Sequence, residues 1–217
     1  RGGSKRIPGK NIRDFLGKPI IAYSIETALA SNLFDEVMVS TDSKDIAQVA
    51  REYGAQVPFM RSNESADDHA TTVDVLKEVL LQYKDYRRLF EYACCIYPTA
   101  PFVTDELLIT AFTQLKEKKL DCVFPVTPFG YPIQRALRLD QNGLIGLMEP
   151  KNLDVRSQDL ETFFHDTGQF YFFNIEVFFQ KGQLWTDRSG CIVVDETKVQ
   201  DIDNEVDWKL AELKYNL

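Results

Sequence analysis

Two short stretches, near opposite ends of a chain of 217 residues, carry side chains suited to a polyphosphate. The first is Arg1-Gly2-Gly3-Ser4-Lys5-Arg6-Ile7-Pro8-Gly9-Lys10-Asn11. Glycine lets backbone N–H groups approach an anion closely, and Arg1, Lys5, Arg6 and Lys10 supply charge that suits phosphate. A flexible basic terminus is the plain alternative, but Pro8 and the helical pattern that follows argue for structure. The second stretch is Asp201-Ile202-Asp203. Residues i and i+2 of an extended segment point the same way, so both carboxylates face one site. Two such carboxylates repel unless a cation separates them. Magnesium is commonly held by one or two carboxylates together with substrate phosphates. An acidic turn capping a helix from about Glu205 is the alternative for such a pair.

The elements that must position these stretches are legible as patterns. Pro19 suits the first turn of a helix, and Ile20, Tyr23, Ile25, Ala28 and Leu29 continue its stripe. Residues 35–41 read as a strand, Ser43 as the cap of a helix from Lys44 to about Tyr53, and 56–60 as a short strand. Helices are expected from Thr72 to about Tyr83 and, behind Thr104, from Asp105 to Lys118. The apolar run from Tyr92 to Tyr97 and the segment 121–126 read as buried strands. Strands are also expected at 168–174 and 191–195, with a terminal helix from Glu205. Alternation of this kind predicts an α/β fold with a mostly parallel central sheet covered on both faces. Ligands then bind beyond the carboxyl ends of the strands, where Thr41-Asp42, Pro98-Thr99 and Pro125-Val126 lie. Between Phe129 and Phe164 the pattern changes to an inserted hairpin-rich arm, with a turn at residues 140–143.

Composition excludes several classes. Lys and Arg number 25 against 33 Asp and Glu, a formal net charge of −8, which disfavours nucleic acid as a partner. No long apolar span suggests a membrane segment. The four cysteines, Cys94, Cys95, Cys122 and Cys191, show no Cys-x-x-Cys spacing for zinc and read as reduced core thiols, in keeping with a cytoplasmic enzyme. The basic loop lacks the Gly-Lys-[Ser/Thr] ending of a P-loop, because Asn11 follows Gly9-Lys10.

The loop resembles the nucleotide-binding loop of the sugar-activating cytidylyltransferases, the family that includes the N-acylneuraminate synthetases. Their signature is Arg-Gly-Gly-Ser-Lys, a spacer, then Lys-Asn, and the Asp-Ile-Asp stretch is matched too, with Asp207 four residues on from Asp203. The resemblance implies a three-layer, Rossmann-like nucleotidyltransferase fold in one domain spanning 1–217, with the arm at 129–164 serving dimerisation. It also implies a first core strand upstream of residue 1, which this sequence does not contain; about five to ten further residues are expected at the rise of a strand.

By the same resemblance, the chain transfers CMP from CTP to the anomeric hydroxyl of a nine-carbon nonulosonic acid and releases pyrophosphate. Arg1, Ser4, Lys5 and Lys10, with the glycines Gly2 and Gly3, would hold the phosphates, and Asn11 the ribose and α-phosphate region. Asp201 and Asp203 would bind Mg2+, and Asp207 would cap or pair locally. Arg61, Ala70 and Thr72 match the positions that hold cytosine. Tyr97, Gln169 and Tyr171 match positions that face the sugar. Tyr97 stands where the sialic acid enzymes carry glutamine, Ala100 where they carry serine, and Thr167 where they carry asparagine. These departures, with segments 92–101, 156–161 and 165–171, point to pseudaminic acid, the sugar of decorated bacterial surface proteins such as flagellin. N-acetylneuraminate, legionaminate and 3-deoxy-manno-octulosonate are the alternative acids, and a non-catalytic nucleotide-binding module is the alternative class. No general base stands out; His165 and Asp166 fall near the sugar side, where a structural role is equally open. A homodimer is expected, with Arg156 reaching towards a neighbour's site.

Overall fold

A computed structural model describes residues 2, 3 and 6–217. The chain opens with a tight hairpin, β1 (Asp14–Phe15) and β2 (Lys18–Pro19), and passes directly into helix α1 (Ile20–Ala30). There follow α2 (Lys44–Glu52), α3 (Asn63–Ala66), α4 (Thr72–Asp85), β3 (Tyr92–Ile96), α5 (Asp105–Glu117) and β4 (Cys122–Pro128). The arm carries β5 (Leu137–Leu139) and β6 (Ile145–Leu147), and the chain returns through β7 (Phe164–Asp166) and β8 (Phe170–Asn174). Helix α6 (Ile175–Lys181), strand β9 (Ser189–Val193) and helix α7 (Glu205–Tyr215) complete it.

Side-chain alternation along β8 explains the layering. Phe170 and Phe172 point to one face, where they pack with Leu108, Ala111 and Leu115 of α5. Tyr171 and Phe173 point to the other, against Phe178 of α6 and Val73, Leu76 and Leu80 of α4. A sheet apolar on both faces must be covered twice, and helices do so here.

The α/β class read from the sequence holds, and the sheet is mixed. β3 and β4 both run antiparallel to β8, and β9 is parallel to β4, so β3, β4 and β9 share one direction. β7 and β8 reverse it, because they bring the chain back from the arm. Residues 35–41 form no extended strand; their pairing is a parallel bridge of Met38 with Gln56. α3 and α6 are elements the sequence patterns did not mark.

β7 and β8 lie on the same side of β4 and are interrupted by a bulge. The register passes from Val126↔Asp166 to Val123↔Phe172, three steps on β4 against six on the returning strand. The break faces Pro125, which has no N–H to give the ladder. Thr167 fills the gap instead, its N–H (3.3 Å) and hydroxyl (3.2 Å) both donating to the Pro125 carbonyl. Gly168 takes φ +62°, a left-handed conformation that suits glycine.

A separate apolar cluster holds the two ends of the chain together: Ile7, Phe15, Ile20, Tyr23, Phe102, Ile202, Trp208 and Ala211. Beside β3, on the edge away from β8, lies a cavity of about 860 Å³. Its apolar stretch includes Ile21, Ile25, Val37, Val39, Cys94 and Ile96, and its polar stretch Asn11, Ser40, Arg61, Thr71, Thr72 and Tyr97.

Candidate functional site

The basic loop and the acidic pair meet. Arg6 donates from Nη2 to Asp203 Oδ1 at 2.7 Å. Lys10 Nζ donates to the carbonyl of Ile202 at 2.6 Å and stands 3.9 Å from Asp203 Oδ1. The cause is an alternation of three residues: Ile202 is 1% exposed, in the same core cluster as Ile7 of the loop, while the flanking aspartates stay accessible. Arg13 adds a clamp, with its guanidinium 2.6 Å from Glu205 and 4.5 Å over the Trp208 ring.

Asp203 and Asp201 differ electrostatically. Asp203 is met by Arg6 and Lys10. Asp201 makes no side-chain hydrogen bond among the described residues, and desolvation together with the nearby Asp203 charge raises its carboxyl above the usual range. A cation between the two would relieve that repulsion, and two hard oxygen donors suit magnesium. Among the described residues no group of three or more metal-ligating side chains occurs, so phosphate oxygens and water would complete the shell. Asp207 caps, as expected: its Oδ2 accepts from the N–H of Asp203 (2.9 Å) and of Asn204 (3.0 Å), half of the capping box that starts α7.

Arg1, Ser4 and Lys5 lie outside the described residues. Gly2 donates its N–H to Asp42 Oδ1 at 2.8 Å, and a Cβ on Gly2 would stand 3.1 Å from that of Ser43. Burial opposes ionisation of Asp42, but the Gly2 N–H and the Arg61 charge outweigh it and hold the carboxyl low. Around Gly3 an added Cβ would meet nothing within 4 Å.

Asn11, next to Lys10, lines the cavity that also exposes Arg61, Ala70, Thr72 and Tyr97. Arg61 is tied to the end of segment 37–41 through Nε to Ser40 Oγ (3.0 Å) and Nη2 to the Ser40 carbonyl (2.7 Å). The loop after it is held by Glu78 of α4, whose carboxylate accepts from the Ser62 N–H (2.9 Å) and hydroxyl (2.7 Å). Asp67 Oδ1 then accepts from the N–H groups of His69 (2.8 Å) and Ala70 (2.7 Å), turning the chain towards α4. Thr71 caps α4 in a reciprocal box with Asp74, which leaves the Thr72 hydroxyl to approach the Tyr97 hydroxyl at 3.0 Å.

The two other sugar-side candidates are buried. Gln169 is 3% exposed and donates from Nε2 to the Lys198 carbonyl at 2.8 Å, with no partner for its Oε1 among the described residues. Tyr171 is 5% exposed and donates to Asp166. Burial and that carboxylate together push its phenol well above the ordinary range. The structure thus gathers Lys10, Asp201 and Asp203 at one place, and Asn11, Arg61, Ala70, Thr72 and Tyr97 around the adjoining cavity. Tyr171 lies in β8 and Gln169 directly before it, its carbonyl accepting from the Tyr97 N–H. Sequence reasoning missed Arg6 as a partner of Asp203 and missed Glu78. It placed Asp42 at the rim, directly after a strand-like run, and left the role of Asp166 open.

A family model described as Cytidylyltransferase matches residues 1–184. The chain belongs to the cytidylyltransferase family. Among its relatives, the pseudaminic acid cytidylyltransferase of Campylobacter jejuni subsp. jejuni serotype O:2 is 39% identical over 217 residues, covering 100% of this chain and 94% of that protein. The CMP-N,N'-diacetyllegionaminic acid synthase of Legionella pneumophila is 31% identical over 219 residues, covering 98% and 91%. A solved structure of CMP:2-keto-3-deoxy-manno-octonic acid synthetase complexed with CTP superposes with a TM-score of 0.68 at 17% identity, over 100% of this chain and 96% of the other, a likeness of fold. Among the described residues, no helix of this cytidylyltransferase is long and apolar enough to cross a membrane.

Proposed function

We propose that this protein transfers the cytidylyl group of CTP to the anomeric hydroxyl of pseudaminic acid, with release of pyrophosphate. The observation that carries the reading is the junction of Lys10 and Arg6 with Ile202 and Asp203, which gathers cationic and anionic groups where a triphosphate and its cation belong. The pseudaminic acid assignment is supported by the 39% identity to the Campylobacter enzyme over the full length of this chain.

In this reading the sugar oxygen attacks the α-phosphorus in line and the bond to pyrophosphate breaks. The protein contributes position and charge rather than a covalent intermediate. Arg1, Ser4, Lys5 and Lys10 hold the β- and γ-phosphates with the backbone of Gly2 and Gly3, and stabilise the leaving pyrophosphate. Asn11 sits at the ribose. Arg61 and the segment from Ala70 to Thr72 read cytosine, and Tyr97 borders the sugar. Asp201 and Asp203 hold Mg2+, which when bound supplies charge neutralisation at the phosphate oxygens.

The arm gives the reading its quaternary form. In its hairpin Leu137 pairs with Leu147 and Leu139 with Ile145, so four apolar side chains share one face, and Leu137, Leu139 and Ile145 are each more than 60% exposed. A two-stranded hairpin is marginal on its own, and a second copy of the chain covering this face makes a homodimer. The compartment is cytoplasmic, where CTP is available and the four free cysteines stay reduced.

The test is a pyrophosphate-release assay with CTP, magnesium and each of four acids: pseudaminic, N-acetylneuraminic, legionaminic and 3-deoxy-manno-octulosonic. Turnover with pseudaminic acid at least about tenfold above the others is expected. Equal or greater turnover with another acid reassigns the substrate, and CTP binding without turnover on any acid favours a non-catalytic module.

A further inference from the structure

The segment from residue 195 to residue 204, between β9 and α7, delivers the acidic pair. It joins no strand among the described residues. Asp195 caps a short helical turn at its start, Glu196–Lys198, by accepting the Thr197 N–H at 2.8 Å. Side chains from three remote places take its carbonyl groups. Gln169, directly before β8, donates from Nε2 to the Lys198 carbonyl at 2.8 Å. Lys214, in the last turn of α7, donates from Nζ to the carbonyls of Val199 (2.7 Å) and Glu196 (3.1 Å). Lys10 of the basic loop takes the Ile202 carbonyl at 2.6 Å. Val199 and Ile202, 8% and 1% exposed, give the segment its apolar footing.

A segment without ladder partners keeps its shape through such bonds and through its buried side chains. The Lys198 carbonyl can only accept, so the Gln169 amide must turn its N–H towards it. The Oε1 of the same amide has no partner among the described residues, although Gln169 is 3% exposed. A buried unpaired acceptor is costly, which makes the N–H the useful half of this side chain. The backbone of Gln169 is fixed as well, its carbonyl accepting the Tyr97 N–H at 2.8 Å. Gln169 thereby ties the segment to the central sheet. Helix α7 grips the segment twice: Lys214 holds the carbonyls of residues 196 and 199, and Asp207 accepts the Asp203 N–H at 2.9 Å.

We infer that Gln169 and Lys214 are positioning residues for the acidic pair: by holding the carbonyls of residues 196, 198 and 199 they set where Asp201 and Asp203 stand. Carboxylates that share a divalent cation must be presented at a fixed separation. Groups that orient such ligands tune metal affinity without touching the ion. The Gln169 amide then serves the acidic pair and not the sugar. This inference rests on the assignment of Asp201 and Asp203 to magnesium in the reading above.

The experiment compares wild type, Gln169→Met and Lys214→Met. Methionine keeps much of the length of either side chain and removes its donor. Calorimetry with CTP is run in magnesium and again in EDTA, and Mn2+ binding to the CTP complex is followed by electron paramagnetic resonance. Each variant is expected to hold the metal about tenfold more weakly, with CTP affinity in EDTA within about twofold of wild type. Hydrogen exchange on the metal-free protein should be about fivefold faster or more at the amides of residues 199–203, with β4 and β8 unchanged. A lowered melting temperature with CTP weakened equally in magnesium and in EDTA would mean a general packing role and overturn the inference. Metal affinity and exchange both within about twofold of wild type would overturn it too. So would a Gln169→Met defect confined to the KM of the sugar acid. If Gln169→Met does not fold, Lys214→Met decides the matter, since Lys214 lies part-exposed at the end of α7. Wild type that binds CTP equally with and without magnesium defeats the metal assignment itself, and the role given to both residues with it.

Discussion

The ammonium of Lys10 lies 2.6 Å from the carbonyl oxygen of Ile202, a residue 192 positions later that sits between the two aspartates. The side chain of Ile202 is turned the other way, into the cluster it shares with Ile7 and Trp208. One residue thus orders the acidic pair, anchors the basic loop and helps to seat α7. Hydrophobic burial sets the position, and the charges take the geometry that burial leaves them.

Truncation of Ile202 should therefore act on both ends at once. Ile202→Ala is expected to cost about 2–5 kcal/mol in a urea melt, the range for a fully buried aliphatic side chain. Calorimetry on the folded variant should also show weaker CTP binding. A normal CTP affinity at reduced stability would mean that the loop is held by something else.

The Glu78 carboxylate gives an acid-side prediction. Burial opposes its ionisation, but hydrogen bonds from Ser65 and Ser62 outweigh that and lower its pKa in the folded state. A depressed folded pKa contributes stability above the ordinary glutamate range, about 4.3, and that contribution is lost as pH falls through the lower folded value. Glu78→Gln should cost about 1–2 kcal/mol near neutral pH. The gap between variant and wild type should then narrow in urea melts as pH falls below that range. A gap that is constant with pH would remove the charge from the argument.

Thiol chemistry should single out Cys191. Cys94, Cys95 and Cys122 are held protonated chiefly by burial, with Cys95 and Cys122 each pushed up to about 12. The thiolate is the reactive form, and at pH 8 a thiol of that pKa is ionised to about one part in ten thousand. Cys191 is exposed on β9. An aromatic disulfide reagent should titrate one fast thiol per native chain and four in denaturant. More than one fast thiol would show that burial does not protect Cys94 and Cys95, which line the cavity.

The paired variant Leu139→Asp with Ile145→Asp should separate the proposed dimer. The two residues face each other across the hairpin, and each is well exposed in a single chain. Sedimentation equilibrium should show a dimer for wild type and a monomer for the variant. A monomeric wild type would remove the proposed partner from this face.

The helices were legible because their signals are local. Ser43, Thr104 and Asn204 cap where hydroxyl, amide and carboxylate spacing allows a cap, and helix lengths follow. The two chemically suited stretches were legible for a similar reason, since composition and i, i+2 spacing are properties of a few residues. Strand direction was harder. The reversal at β7 and β8 depends on the arm returning the chain, and the bulge depends on Pro125 facing a partner 42 residues away. Arg6 was hidden because four cations in the loop look alike until Ile7 and Ile202 share a core. Glu78, and the partners of Asp166, were hidden because they are brought together only by α4 and by the sheet.

The account stands most directly on magnesium-dependent pyrophosphate release from CTP and pseudaminic acid, measured for wild type beside Asp203→Ala. Asp203 is part-exposed, so the variant should fold with a near-normal melting temperature. Loss of at least about a hundredfold in turnover is expected, as for removal of one preorganised electrostatic group. Turnover within twofold of wild type at equal magnesium would contradict the claim that the two ends of the chain hold one triphosphate.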